Sequence, residues 1–159
     1  IPISMKTSLS EPMAGRFRPE YERPEDLREE AAVCKELEEK GLHFEKLPPK
    51  DVIDFAVLKE GKVVGFMEVK ARSNASDHYP TFMISMAKFL RMKQILETTG
   101  IPTALVVKYS DKVRRLWIGK ETPHFVEMGG RYDRGDGEDV EPLVHFKTDL
   151  FKDLWEAEQ

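Results

Sequence analysis

Asp51-Val52-Ile53-Asp54-Phe55-Ala56-Val57-Leu58 and Val63-Val64-Gly65-Phe66-Met67-Glu68-Val69-Lys70-Ala71 read as two apolar strands joined by a turn containing Glu60-Gly61-Lys62. Set inside their apolar runs are two carboxylates, Asp54 and Glu68, and an ammonium, Lys70, two residues after the second carboxylate. Ionised side chains seldom enter a core without partners, and a Glu68 flanked by Phe66, Met67 and Val69 has little water to face in a central strand. Alternation puts Glu68 and Lys70 on one face of the sheet. A connection with an odd number of residues puts Asp54 on that face too, as an opposite or diagonal neighbour of Glu68, although the register itself is left open.

Two carboxylates about 4 Å apart repel by roughly 4 kcal/mol at an effective dielectric near 20, so they are kept together where a cation or a shared proton offsets the repulsion. Oxygen donors alone favour a hard ion. Mg2+, or Mn2+ in its place, takes one or two carboxylates and leaves positions for water and phosphate oxygens. An ammonium beside the ion can orient or activate a water and stabilise charge developing on phosphorus.

Upstream of the hairpin, Pro24, Glu25 and Asp26 open a helix whose apolar residues recur at Leu27, Ala31, Cys34 and Leu37 before Gly41 ends it. Glu30 falls on the same inward stripe. Residues 1–24 hold Pro2, Pro12, Pro19 and Pro24 with no periodicity and read as an extended arm, leaving 25–159 as one domain. Downstream, residues 73–81 form a polar loop in which His78 and Tyr79 stand close to the next element. A long helix is expected from Phe82 to Thr99, closed by Gly100 and Pro102, with Ser85, Lys88, Met92 and Ile95 on one stripe. Strands are expected at 103–109 and 113–118, an exposed loop at 128–142, a short strand at Leu143–Phe146 and a final helix from Asp149. The core sheet is therefore mixed.

A chain of 159 residues suits a single domain, and 40% apolar with 34% charged residues is a globular composition. The net charge of −4 and pI near 5.7 exclude a protein that coats nucleic acid by bulk positive charge. A polyanion must meet a local basic patch, for which Lys70, Arg72, Lys88, Arg91 and Lys93 are the candidates. The single cysteine, Cys34, excludes an intrachain disulfide or a cysteine zinc site, and four scattered histidines lack metal-ligand spacing. No run approaches a membrane span and no signal-peptide layout opens the chain, so a cytoplasmic protein is expected. The start at Ile1 in place of methionine suggests a trimmed or processed N-terminus.

The set Ile53-Asp54 … Glu68-Val69-Lys70 resembles the signature of the PD-(D/E)XK nuclease superfamily, the fold of many restriction enzymes and archaeal Holliday-junction resolvases. Ile53 stands where the proline is usual. The helix Glu30-Ala-Ala-Val-Cys-Lys-Glu-Leu-Glu-Glu-Lys-Gly41 is similar to the first helix of resolvase-type members, and Ser85-Met-Ala-Lys88 to the element on the helix after the catalytic strand. The resemblance covers residues 25 to 118. It implies a restriction-endonuclease-like αβββαβ core, a mixed central sheet flanked by helices. It implies that Asp54 and Glu68 hold the metal with the backbone carbonyl of Val69, that Lys70 acts on the nucleophilic water, and that Glu30 supports a second ion or its water shell. Lys88 would contact phosphate or position Lys70 and the carboxylates. Beyond these positions the resemblance carries nothing over; Ser85, on the stripe with Lys88, and Arg72 and Arg91 of the basic patch are the further candidates for substrate contact.

The resulting expectation is a metal-dependent nuclease that hydrolyses DNA, small enough to be resolvase-like, repair-type or phage-encoded, and plausible as a homodimer because two strands need two sites. Two other readings stay open: a non-catalytic binding module on the same fold, and an assembly component using its arm and charged loop.

Overall fold

The computed structural model describes residues 24–39, 41–48, 53–119, 123–130 and 140–156. The expected N-terminal arm, apart from Pro24, lies outside them. Helix α1 (Pro24–Glu38) turns Glu30, Val33, Cys34 and Leu37 inward at spacings of three and four, while Ala31, expected on that stripe, is exposed. Gly41 follows at φ 94°, a left-handed conformation glycine adopts without steric penalty.

Strands β1 (His43–Lys46), β2 (Phe55–Lys59), β3 (Lys62–Ala71), β5 (Thr103–Lys108), β6 (Lys112–Ile118) and β9 (Lys152–Glu156) form one sheet in the order β1-β2-β3-β5-β6-β9. The β3–β5 pair is parallel and the other pairs antiparallel, so the sheet is mixed as expected. Between β3 and β5 the chain forms β4 (Thr81–Ser85) and helix α2 (Met86–Thr99). A second sheet, β4-β8-β7, is completed by β7 (Phe125–Gly130) and β8 (Val140–Lys147).

Helix α1 packs its stripe against Phe44, Phe55, Met67, Val69, Ala104 and Val106 on one face of the large sheet. On the opposite face Leu105, Val107 and Ile118 meet Met92 of α2 and Phe82, Ile84, Val144 and Phe146 of the small sheet. Adjacent residues of β3 and β5 thus divide between two cores. Among the described residues no helix is long and apolar enough to cross a membrane.

Three expectations are corrected. The helix placed at Phe82–Thr99 starts at Met86; Thr81–Ser85 is a strand with Phe82 and Ile84 buried and Met83 exposed, and Ser85 then caps the helix. The final helix from Asp149 is a 3-10 turn, Thr148–Leu150, followed by β9, which pairs with β6. The 128–142 loop includes the ends of β7 and β8, with residues 131–139 outside the described set. Strand β1 lies in a stretch to which the sequence reading gave no element.

The β2–β3 hairpin determines the site. Lys59 pairs with Lys62 across a two-residue turn in which Glu60 (φ 52°) and Gly61 (φ 76°) are both left-handed, the type I′ pattern that matches strand twist. Leu58 opposes Val63, but Val57 opposes Gly65, so one extra residue enters β3 between those pairs. This bulge shifts the later register by one. Phe55 then meets Met67, and the next step brings Asp54 beside Glu68; without the extra residue Asp54 would stand beside Met67, which faces α1.

Candidate active site

Glu68 is fully buried, 0% exposed, on the α2 side of β3. Its Oε2 accepts from the backbone N–H of Asp54 at 3.2 Å, and the Val69 N–H donates to Oδ2 of Asp54 at 3.1 Å. The Glu68 carboxylate is thereby tied to the Asp54 amide, and the Asp54 carboxylate to the amide that follows Glu68. The Leu47 amide donates to the Asp54 carbonyl at 2.8 Å, fixing the bend before β2. Glu68 Oε1 faces two ammoniums: Lys88 Nζ donates a hydrogen bond to it, and Lys70 Nζ lies at 3.3 Å. Removing a carboxylate from water is strongly unfavourable, and here two cations and an amide compensate.

Lys88 reaches Glu68 from the first turn of α2. Ser85 caps that helix, its Oγ accepting from the Lys88 backbone N–H at 3.1 Å, so the hydroxyl expected at the substrate holds Lys88 in place. A cation in the first turn opposes the helix dipole, and no acidic residue occupies that turn. Helix stability does not account for a lysine there; the contact with Glu68 does.

Glu30 does not meet Glu68. It lies on the α1 side, where Lys46 Nζ donates to its Oε2 at 3.0 Å and approaches Asp54 Oδ1 at 3.6 Å. Lys46, on the unforeseen strand β1, also lies 4.9 Å from the centre of the Phe55 ring. The sequence reading missed this lysine; its alternation on a short strand next to Asp54 is too common a pattern to select it. Arg91 is exposed and donates to Gln94 at 3.2 Å, and Arg72 stacks 4.9 Å over the Phe82 ring, one alternation beyond Lys70.

The two lysines on Glu68 are driven in opposite directions. Burial lowers the Lys70 ammonium below the ordinary lysine range, and the neighbouring Lys88 charge lowers it further. Burial acts on Lys88 in the same sense, but the charge of Glu68 and their hydrogen bond outweigh it and hold Lys88 cationic. Burial raises Glu68, opposed by Lys88 and then Lys70. One ammonium is thus a fixed counter-charge and the other gives up its proton more readily. Cys34, buried behind Glu30, is pushed up to about 12 by burial first and is an inert thiol.

Asp54 and Glu68 form a two-carboxylate, oxygen-only donor set; among the described residues no group of three or more His, Cys, Asp or Glu side chains is placed to hold a metal. Two carboxylates fit Mg2+, which keeps several waters and bonds substrate phosphate.

Residues 16–154 match the family model described as "Phage putative PDDEXK endonuclease". The structure is similar to that of Archaeoglobus fulgidus Hjc, a Holliday junction resolvase from an archaeal hyperthermophile, with a TM-score of 0.53 and 14% identity over 80% of this chain and 90% of that one. At this identity the likeness is one of fold: the restriction-endonuclease-like α/β arrangement. Among curated proteins none matches the sequence significantly.

Proposed function

This chain belongs to the phage PDDEXK endonuclease family, and from that membership we propose that it is a metal-dependent nuclease that hydrolyses phosphodiester bonds in DNA at Asp54, Glu68 and Lys70. The observation that carries the reading is the pair of bonds that tie the Glu68 carboxylate to the Asp54 amide and the Asp54 carboxylate to the Val69 amide, with Lys70 beside Glu68. Such an arrangement is costly to bury and has no structural need, since an apolar pair would fill the same space.

Asp54 and Glu68, with the Val69 carbonyl as the family resemblance implies, would hold Mg2+ or Mn2+. When bound, the ion supplies Lewis-acid polarisation of a phosphate oxygen and a more acidic water. Lys70 Nζ, pushed toward the neutral amine, accepts a proton from the attacking water. The water oxygen forms its bond to phosphorus in line with the bond that breaks to the leaving oxygen. Lys88 keeps its charge and, next to Lys70, neutralises developing negative charge. Glu30 acts through Lys46 as a positioning residue for Asp54. Arg91, exposed one helical turn beyond Lys88, contacts the phosphate backbone. A homodimer would pair two such sites for two strands, and the host cytoplasm is where a phage-encoded nuclease of this kind would act.

The test is cleavage of labelled linear duplex, single-stranded and four-way-junction DNA in Mg2+ or Mn2+, with wild type beside Asp54→Ala and Lys70→Ala. Cutting that requires metal and is lost in both variants supports the assignment and names the substrate. No cutting, or variants that cut like wild type, replaces it with the binding-module reading.

A further inference from the structure

Beyond Lys70, β3 ends and the chain enters loop 72–80, which with β4, Tyr109 and the 3-10 turn encloses a cavity of about 490 Å3. Asp54, Glu68, Lys70 and Lys88 do not line it. Arg72 links the two places. Its N–H donates to Lys108 at 2.8 Å, continuing the β3–β5 ladder past Ala71, and its guanidinium lies 4.9 Å over Phe82 in the cavity wall. Alternation puts Arg72 on the side of Glu68 and Lys70, its Cα about 7 Å beyond that of Lys70.

Besides the His145 imidazole the wall carries three aromatic rings, of which Tyr79 presents its ring to solvent while Phe82, under the Arg72 guanidinium, and Tyr109 are buried behind it. Tyr79 is 58% exposed and held edge-on against His78 with centroids 4.4 Å apart; Phe82 and Tyr109 meet edge-to-face at 6.5 Å. Neutral polar groups lie between them, including the Thr81 hydroxyl, 2.9 Å from His145 Nδ1. Among the described residues no carboxylate lines the space. A phosphate group alone has no use for aromatic faces, whereas a base uses ring faces and neutral hydrogen-bonding edges together.

The cavity is also braced. Ser76 donates to Asp111 through both its amide and its hydroxyl at 2.8 Å, the Ser110 amide donates to Asn74 at 3.1 Å, and the Thr148 amide donates to Pro80 at 3.0 Å. Ordering the loop is thus largely done before any ligand arrives.

We propose that this cavity receives one unstacked nucleobase of the strand whose phosphate lies at Glu68 and Lys70, with Arg72 on the phosphate between them. The proposal rests on the nuclease reading and deepens it. A base inside a continuous duplex must be unpaired and flipped to enter, so branched, frayed or single-stranded DNA is the favoured substrate class.

The test is equilibrium binding of short oligonucleotides, each with one abasic position moved along the strand, in chelator and without metal, to wild type, Tyr79→Ala and Tyr79→Phe. One abasic position should weaken wild-type and Tyr79→Phe binding about tenfold, a typical loss for one base stacked on an aromatic ring. The same series should be flat in Tyr79→Ala. An abasic series identical in wild type and Tyr79→Ala overturns the proposal while leaving the nuclease reading intact. Position-specific coupling in a protein that cuts nothing in Mg2+ or Mn2+ supports the base site and removes the catalytic reading. Absence of any DNA binding, in chelator and in Ca2+ alike, overturns the base site, while cleavage in Mg2+ or Mn2+ decides the nuclease reading separately.

Discussion

Strands β3 and β5 lie side by side in parallel, with Glu68 next to Leu105 and Lys70 next to Val107 on the same face of the sheet. Leu105 and Glu68 are equally buried, at 0% exposure. Strand β5 is what a central parallel strand becomes when packing alone shapes it: Thr103 through Val107 are all buried, and four of the five are apolar. Its neighbour carries charge in the same layer, tolerated because Lys88, Lys70 and the Asp54 amide converge on one carboxylate. Adjacent positions with the same burial therefore carry different quantities, stability in β5 and, under the proposed function, chemistry in β3.

The sharpest way to break that comparison is to exchange the quantities. Lys70→Met should lower metal-dependent DNA cleavage by about a hundredfold to ten-thousandfold, the usual contribution of a positioned proton acceptor, while leaving the fold intact. Because burial holds Lys70 below its ordinary range, its charged form costs stability near neutral pH, where the unfolded chain keeps that proton. Relief of that cost opposes the loss of one of the two charges beside Glu68, so the melting temperature of Lys70→Met should stay near that of wild type; a large fall would mean that Lys70 serves mainly to hold Glu68. Leu105→Ala is the converse. It should cost about 3 kcal/mol in urea unfolding, as cavity-forming core truncations do, with cleavage per folded molecule retained.

Most of the framework was legible because it follows from periodicity. The inward stripe of α1, the β2–β3 hairpin and the apolar β5 are pattern statements, and each stands where its pattern put it, within a few residues. The Thr81–Ser85 segment was misread because Phe82, Ile84 and Ser85 suit a helix stripe as well as a strand alternation, and pairing with Lys147, Phe146, Val144 and Leu143 decided the matter. Strand β9 was misread for the same reason, its state being set by β6. In the site, Glu68 and Lys70 share a face by alternation alone, but the approach of Asp54 depends on the extra residue that β3 inserts opposite Val57/Leu58; Gly65, a residue that often marks a bulge inside a strand, was the one sign of it and was not read as such. Lys46 was invisible because its partners come from α1 and from the residue before β2, which are distant in sequence from one another.

A smaller effect sharpens the account of how β3 tolerates its charge. Lys88→Met removes the ammonium bonded to Glu68 but leaves Lys70, so the loss should be about 2 kcal/mol, below that for a buried carboxylate left with no partner. Adding Glu68→Gln should recover most of it. A double variant as unstable as the sum of the two single ones would mean that the two side chains do not act as a pair.

The smallest expected effect lies where the segments leaving the two strands meet. Asp111, in the turn after β5, accepts from both the amide and the hydroxyl of Ser76 in the loop after β3. Burial alone would raise the Asp111 carboxyl, but these two hydrogen bonds outweigh it and hold the group below the ordinary aspartate range. A depressed folded value means that the unfolded chain takes up the proton first as pH falls. The stabilisation is therefore complete above about pH 4 and is lost progressively as pH falls through the folded value. Asp111→Ala should cost about 1 kcal/mol at pH 7, in line with a partly solvated charged hydrogen bond. Its urea-unfolding curve should converge with that of wild type in acid, as protonation removes from wild type what the substitution removed. A gap that stays constant from pH 7 into acid would mean that Asp111 contributes by packing or turn geometry, and that the loop after β3 is held to β5 by the Ser110 and Arg72 amides alone.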